Sequence, residues 1–362
     1  TKDQTPCLEI MVITDKYSGK FLLLVLIACF VGLWVLSFIN AKLENKLPAP
    51  SLTEPIAQSH SITKSAVSEK FGSGFDENLN RETSTLTTEA LWKRLLASIQ
   101  RERETQIDLE NEFIERLRKE PDSVIYQEFL ALFRQGSLKV SPQQVLVSLL
   151  GEVGDYKAAE TLMSLVNEAL LVNADVKSAA FAAISKFSPE LWHEHPNTEL
   201  APVFEAAWQT GNAEYWPAIA NVMASIGTPS TLDIFIETLT DNTNAERVDS
   251  VKQAMTNLAN PALVPKLADL LENPATENVQ LASGNALANM GEMEAATALY
   301  DWSAQVDAGK ISLVNVWFET ALNTTPEFVA YLETNLDGQK FTDPKIKTAI
   351  SSALKNVKSS VE

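Results

Sequence analysis

Apolar residues recur along most of this chain at spacings of three and four, which is the periodicity of amphipathic helices. Trp92, Leu95, Leu96 and Ile99 form an early stripe of this kind. Farther along, a pair of small or apolar residues returns at steps of 32 to 39 residues. The pairs are Leu149-Leu150, Ala183-Ile184, Val222-Met223, Ala254-Met255, Ala286-Leu287, Ala321-Leu322 and Ala353-Leu354.

A period in this range corresponds to one helix–turn–helix unit, which is too small to bury its own apolar face. In one such unit, Asn260-Pro261 suits the start of the first helix, because the N–H that proline lacks would have no partner there. Gly291 is placed to end the second helix with a positive φ. The chain is therefore predicted to be all-α, an α-α superhelix of about seven to eight stacked helical hairpins.

Residues 279–291 read VQLASGNALANMG and resemble the HEAT-like repeat of the phycobilisome-lyase type. That repeat has Val-Arg, two variable residues, two small residues and then Ala-Leu-Gly-x-Ile-Gly. The resemblance begins at Pro121 or Ser141, runs to the end of the sequence and implies a HEAT/armadillo-like solenoid. It specifies no activity, because this repeat serves scaffolds, lyases, glycosylases and regulators. Similar runs are residues 149–154, 176–188, 314–323 and 346–357.

The chain departs from the family at the position that usually holds arginine. The resemblance implies that this arginine ties adjacent repeats to a turn aspartate, so we expect cohesion here to rest on apolar packing instead. The same column borders the concave face of the family, which makes Trp216, Lys177, Gln280, Asn315 and Gln143 candidates for partner binding. Trp216 is the one large aromatic among them; alternatively, it only packs beneath the neighbouring inserted segment. The whole column is Gln143, Lys177, Trp216, Val248, Gln280, Asn315 and Lys347.

Residues 21–39 read FLLLVLIACFVGLWVLSFI and carry no charge. A helix of this length spans about 28 Å, close to the hydrocarbon thickness of a bilayer. We therefore predict a transmembrane anchor that follows a short tail, residues 1–20. A bacterial lipoprotein signal ending at Cys29 and a cleaved secretory signal are the alternatives.

The orientation of this anchor rests on a near tie in flanking charge. Lys16 and Lys20 precede the span, and Lys42 and Lys46 follow it. A short tail followed by one span and a large body is typical of a signal anchor. We therefore expect a single-pass membrane protein whose body is periplasmic or otherwise extracytoplasmic.

Residues 40–86 are rich in Ser, Thr, Asn and Glu and contain Pro48, Pro50 and Pro55. This composition is typical of a flexible polar linker. Residues 87–120 are predicted to form a helical stalk or an N-terminal cap, either as one long helix or as two helices that meet near residues 100–104. Residues 121–362 are predicted to form the repeat solenoid.

Two further features of the sequence bear on chemistry. The formal net charge is −18, which disfavours binding to nucleic acid. His193, Glu194 and His195 lie in the insertion of the longest step, and imidazole and carboxylate are usual metal ligands. They are a weak metal candidate, because the only other histidine is His60 in the linker; a solvated loop is the alternative.

The sequence contains no glycine-rich phosphate loop and no nucleophile-elbow or zinc-protease motif. We therefore expect no catalytic residue and no cofactor. The expected function is a membrane-tethered α-solenoid scaffold or adaptor that binds a partner protein through its concave face. The alternatives are an enzyme of the HEAT-like lyase or glycosylase kind, and a metal-binding module at His193 and His195.

Overall fold

The structure is a computed structural model that describes residues 86–101, 107–188 and 198–361. These residues form sixteen α-helices and contain no β-strand, which confirms the all-α prediction for this part of the chain. The helices are α1 (Thr88–Gln100), α2 (Ile107–Lys119), α3 (Ser123–Arg134), α4 (Val140–Val153), α5 (Tyr156–Asn167), α6 (Ala174–Ser185), α7 (Ala201–Thr210), α8 (Trp216–Ile226), α9 (Pro229–Asp241), α10 (Ala245–Met255), α11 (Val264–Glu272), α12 (Glu277–Asn289), α13 (Met293–Gln305), α14 (Ile311–Thr324), α15 (Pro326–Asn335) and α16 (Pro344–Val361).

Helices pack against the helix two places further along the chain as well as against their neighbours. The even-numbered helices form an unbroken series in this way, from α2 through to α16. Among the odd-numbered helices, α3, α5, α7 and α9 form one series and α11, α13 and α15 another, while α9 also packs against α12. We name the helices α3 to α15 with odd numbers the odd layer, and the helices α4 to α16 with even numbers the even layer.

Local sequence signals account for where these helices begin and end. Asp155 caps α5 by accepting a hydrogen bond from the Ala158 amide at 2.6 Å. Gly154 and Gly227 end α4 and α8 in the left-handed region, at φ 68° and 61°. Gly291 follows α12 at φ 75°, which confirms the positive φ predicted there.

The first two helices pack into the same apolar core as the repeats. α1 ends at Gln100, and α2 begins at Ile107. Trp92 of α1 is fully buried and stacks on Phe113 of α2, with ring centroids 5.5 Å apart. It also stacks on Phe129 of α3 at 4.7 Å. The two-helix alternative for residues 87–120 therefore holds, and both helices contact the first repeats.

Side-chain hydrogen bonds tie positions that lie about one repeat apart in sequence. Asn260 donates to the Gly227 carbonyl at 2.7 Å, across 33 residues. Thr324 donates to the Ala288 carbonyl at 2.9 Å, across 36 residues. The expectation that cohesion rests on apolar packing is thus wrong in part. Carbonyls near a helix carboxyl end lack an intrahelical donor, so an amide or a hydroxyl of the next repeat can serve in place of the arginine.

No helix in the described part of the chain is both long enough and apolar enough to cross a membrane. The predicted tail (1–20), anchor (21–39) and linker up to residue 85 lie outside the described residues.

Candidate binding site at Trp216 and Arg247

The five partner-binding candidates lie in different repeats, and the structure does not bring them together. Lys177 of α6 forms an ion pair with Glu214 at 2.7 Å, so it links two repeats. Gln143 donates to the Leu138 carbonyl at 2.8 Å within its own hairpin. These contacts give both side chains a local structural role.

Gln280 of α12 and Asn315 of α14 also stand apart from Trp216. Gln280 donates to the Leu271 carbonyl at 3.1 Å and accepts from Lys310 at 2.7 Å. Asn315 is the fifth residue of α14, and its side chain is partly buried. Of the five candidates, Trp216 lines a cavity together with Trp208 and Arg247.

Trp216 is the first residue of α8, and the start of that helix is determined locally. Asn212 caps the 3₁₀ turn Ala213–Tyr215 by accepting from the Glu214 amide at 3.1 Å. This turn leads directly into α8, whose second residue is Pro217, a residue suited to the first turn of a helix. The indole of Trp216 is thereby held beside the end of α7, partly buried against the core.

Arg247 places its guanidinium against two neighbouring indoles at this point. Its Cζ lies 4.7 Å from the ring centroid of Trp216 and 5.0 Å from that of Trp208. The two indoles are 6.0 Å apart and inclined at 54°. Such cation–π contacts attract a guanidinium to the ring faces and orient it there.

We call the cavity around these three side chains the tryptophan–arginine pocket. It has a volume of about 470 Å³ and lies where the odd helices α7 and α9 end and the even helices α8 and α10 begin. Asn244 caps α10 by accepting from the Arg247 amide at 3.1 Å, which places Arg247 in the first turn. The lining residues are Trp208, Gln209, Gly211, Trp216, Ile234, Glu237, Thr238, Asp241, Thr243, Asn244 and Arg247.

Two hydrogen-bond donors in this pocket are buried without an acceptor among the described residues. They are Nε of Arg247 and Nε1 of Trp216. Nη2 of Arg247 is satisfied, since it donates to the Trp208 and Gln209 carbonyls at the end of α7. A buried donor without a partner costs about 1–3 kcal/mol, so it is uncommon in a folded protein outside functional or strained sites.

The charge of Arg247 is also uncompensated by a close carboxylate within the described residues. The nearest candidates on the pocket wall, Glu237 and Asp241, are exposed, and neither forms an ion pair with it. Burial lowers the pKa of the Arg247 guanidinium, although the group remains charged at neutral pH. Glu237 and Asp241 lie four residues apart in α9 and therefore share one face of that helix.

Sequence analysis missed Arg247, although one signal pointed to it. It adjoins Val248, which occupies the column where the resembled family has arginine, and it is the single arginine between residues 135 and 362. The structure thus shows an arginine tying two repeats one position before the expected place. Its acceptors are main-chain carbonyls instead of a turn aspartate.

The two layers differ in charge. The seven helices of the odd layer carry twelve carboxylates and three basic side chains, whereas the seven helices of the even layer carry six and seven. Four of the basic residues of the even layer lie in α16 alone. The tryptophan–arginine pocket is positioned on the boundary between an acidic layer and a nearly neutral one.

The weak metal candidate, His193, Glu194 and His195, lies outside the described residues. Within the described ranges, no group of three or more His, Cys, Asp or Glu side chains could hold a metal ion. A scan against protein families finds no match for this chain, and a comparison with curated proteins finds no significant match.

Proposed function

We propose that this chain is a HEAT-like α-solenoid scaffold or adaptor that binds a partner protein. The observation that carries the proposal is the tryptophan–arginine pocket, where the partly exposed side chains of Trp216 and Arg247 contact each other. Tryptophan and arginine are the side chains most enriched at the energetic centres of protein interfaces. Both side chains are partly exposed and line a cavity, so part of their surface is open to a partner.

The HEAT-like part of this proposal is supported by the way repeats follow one another. Each even helix packs against the next even helix, as expected when helical hairpins stack in series. Arg247 donates to main-chain carbonyls at the end of α7, so it ties two successive helical hairpins together. Stacked hairpins of this kind offer extended faces for a partner.

We further propose that residues 21–39 tether the solenoid to a membrane and that residues 40–86 act as a flexible linker. Support comes from the nineteen uncharged residues of the first segment and the proline-containing polar composition of the second. We also propose that the solenoid lies on the extracytoplasmic side of that membrane; two lysines precede the span and two follow it, so the flanking charge does not oppose this orientation.

Affinity capture of the full chain from its native membranes tests the binding proposal. Trp216→Ala should lower recovery of the partner at least about tenfold, as expected for loss of a central aromatic contact. Tyr156→Ala is the control, because Tyr156 is an aromatic of α5 with 36% exposure outside the pocket. Equal recovery with both variants, each shown by circular dichroism to be folded, would contradict the proposal.

Cysteine labelling tests the tether and its orientation. Cys7 and Cys29 are the only cysteines in the sequence. When both are replaced by serine, a single cysteine introduced at the exposed Ser359 reports on the solenoid alone. A maleimide that cannot cross membranes should label Ser359→Cys in intact cells, or in spheroplasts if an outer membrane is present. Labelling only after lysis would place the solenoid in the cytoplasm and reject the orientation.

A further inference from the structure

The even layer carries little charge where α12 and α14 pack together. Each of these two helices has one charged side chain, Glu277 in the first turn of α12 and Glu319 in α14. The seven helices of the odd layer, in contrast, carry twelve carboxylates and three basic side chains. Charged groups of a ligand find few partners on α12 and α14, so this part of the even layer suits an uncharged ligand.

Two apolar side chains reach solvent on this part of the even layer. Val316 of α14 is 58% exposed, and Leu281 of α12 is partly exposed. They occupy corresponding positions, five residues before the buried pairs Ala321-Leu322 and Ala286-Leu287. Because they have the same helical phase relative to those pairs, Leu281 and Val316 both face away from the core. An apolar group of a ligand that covers them is removed from water, which favours binding.

Asn285 presents a fixed hydrogen-bond donor one helical turn after Leu281. Its Oδ1 accepts from Nε1 of Trp317 at 2.7 Å. An indole N–H can only donate, which identifies the other amide atom of Asn285 as Nδ2. The Trp317 ring is 1% exposed and packs closely against Gly284, so this bond holds the amide in place. Nδ2 has no acceptor among the described residues, and Asn285 is partly exposed.

Asn289 presents an acceptor one further turn along α12. Its Nδ2 donates to the Asn285 carbonyl at 2.8 Å, and its Oδ1 has no donor in the described part of the chain. Asn289 is exposed. Residues four apart share one face of a helix, so Leu281, Asn285 and Asn289 form one line along α12. That line offers an apolar contact, a donor and an acceptor, in this order.

These three groups match the main chain of an extended polypeptide. A residue in an extended strand can use both its N–H and its C=O toward one partner. Because each amide is already held by one intramolecular bond, less side-chain freedom is lost when it binds a ligand. A glycan also pairs with amides, but hydroxyl groups placed over Leu281 and Val316 would lose water without gaining a hydrogen bond. The apolar pair therefore favours a polypeptide over a glycan.

We propose that α12 and α14 bind an extended, uncharged segment of the partner polypeptide. In one residue of that segment, the carbonyl accepts from Nδ2 of Asn285 and the N–H donates to Oδ1 of Asn289. An apolar side chain of the segment packs on Leu281 and Val316. This inference rests on the proposed function, in which the partner is a protein, and assigns a second contact surface and the chemistry of the segment that it binds.

Binding of short peptides to the full chain in detergent tests this assignment. The probe is the heptapeptide Ser-Gly-Thr-Val-Thr-Gly-Ser, blocked at both ends and labelled with an uncharged dye. Two matched peptides carry N-methylvaline or glutamate in place of the central valine. Fluorescence anisotropy should show a Kd of about 1 mM or tighter for the probe and at least about fivefold weaker binding of both matched peptides. The first lacks the N–H donor, and the second replaces the apolar contact with a charge.

Asn285→Asp is the sharpest change to the protein. The carboxylate keeps an acceptor for Trp317 but places a second acceptor where the Nδ2 donor was, so the probe should bind at least about tenfold more weakly. Asn335→Asp is the matched control. It adds the same charge at an exposed position of α15 in the odd layer and should change binding by less than about twofold, since exposed distant charges are screened.

Val316→Ser is a second test that leaves the core untouched. It removes apolar surface from the proposed contact and should weaken the probe about fivefold. Val172→Ser is its control, because Val172 is 81% exposed in the turn before α6 and should leave binding unchanged. All variants are compared at a temperature at which circular dichroism shows each of them to be folded.

Four results would overturn the assignment. They are equal binding of the N-methylated peptide, equal binding to the Val316→Ser and Val172→Ser variants, no loss in Asn285→Asp, and no binding of the probe at 1 mM. In the last case, Asn285-dependent binding of an uncharged N-acetylglucosamine hexasaccharide would identify a glycan surface instead. If the native partner is still captured in a Trp216-dependent way after any of these results, the proposed scaffold function stands while this contact surface is rejected.

Discussion

The odd and even layers of the described helices pack in different ways. Large aromatic side chains fill the interior of the odd layer, such as Phe129, Phe204 and Phe235, all nearly inaccessible to solvent. In the even layer, two pairs of neighbouring helices approach closely at a glycine. A Cβ on Gly151 would lie 2.7 Å from Cα of Ala183 on the next even helix. A Cβ on Gly284 would lie 2.2 Å from the ring of Trp317, again on the next even helix.

This difference indicates how each layer tolerates change. Odd helices gain stability from the volume of apolar side chain that they bury, so removing volume should harm them most. Even helices gain it from close approach, so adding volume should harm them most. Each helix of the even layer packs against the next one from α4 to α16, so this layer is continuous along the described residues. Four predictions test this comparison, beginning with the largest effect.

Phe129→Ala should be the most damaging of these substitutions. The ring is 1% exposed and stacks on Trp92, so its loss leaves a cavity between α1 and α3. We expect a loss of about 3–5 kcal/mol in the free energy of unfolding, measured by urea denaturation. Val124→Ala on the same helix is the control, because Val124 is 59% exposed and should change stability by less than about 0.5 kcal/mol. Similar losses in both would mean that the odd layer is not packed tightly at this point.

Gly284→Ala should destabilise the even layer although it adds only one methyl group. The new Cβ would overlap the Trp317 ring, which is 1% exposed and donates from Nε1 to Asn285 at 2.7 Å. Since that ring cannot move freely, we expect a loss of about 1–3 kcal/mol. Gly338→Ala adds the same methyl group where only the Asn335 carbonyl lies within 4 Å, and should leave the melting temperature unchanged or slightly higher. A neutral Gly284→Ala would refute the close-approach account.

Asn260→Ala tests the polar ties at the edge between the layers. Its amide is buried, donates to the Gly227 carbonyl at 2.7 Å and accepts from the Ala262 amide at 2.9 Å. We expect a loss of about 1–3 kcal/mol, because the buried carbonyl is left without its donor. Asn212→Ala removes only a local helix cap in an exposed turn and should cost about 0.5–1 kcal/mol. Equal losses would show that the tie between repeats contributes nothing beyond capping.

The smallest change in stability is expected for the ion pair between Arg134, the last residue of α3, and Glu168, the residue that follows α5. The two side chains form two hydrogen bonds, the longer at 2.8 Å. The Arg134 guanidinium lowers the pKa of the Glu168 carboxyl. A lowered folded-state pKa stabilises the protein above the unfolded value of about 4.3, and this contribution is lost as the pH falls through the folded pKa.

Arg134→Met should therefore lower the melting temperature slightly at pH 7 and not at pH 3, and added salt should reduce the difference because the pair is exposed. Lys93→Met is the control. It removes the exposed ion pair between Lys93 and Glu89 within α1, which lies outside both layers. A difference in melting temperature that persists at pH 3 would show that Arg134 acts through its aliphatic contacts instead of its charge.

Sequence analysis predicted the helices and their period well, because small and apolar residues recur at the same spacing in each helical hairpin. The pair Ala286-Leu287 lies within α12, and Gly291 follows the end of that helix with a positive φ. It also named Trp216 as a candidate contact residue, which stays a prediction. It could not predict that Arg247 would contact both Trp208 and Trp216, since these contacts join side chains up to 39 residues apart in sequence.

The ties between repeats were similarly hidden. Because this chain lacks arginine at the position where the resembled repeat has it, we expected hydrogen bonds between repeats to be lost. Asn260 and Thr324 instead make such hydrogen bonds from other positions. Hydrogen-bond donors are interchangeable at a carbonyl that has no other partner, so the residue type at one column does not determine whether the bond is made.

The amino-acid sequence alone determines that this chain forms helices, where most of them end, and that they recur with a period near one hairpin, because these properties depend on neighbours three or four residues away. Only the tertiary structure decided which side chains meet across repeats, which glycines face a neighbouring helix, and which donors remain unpaired. Those outcomes depend on the register and distance between stacked helices, which are set by the packing of every repeat at once.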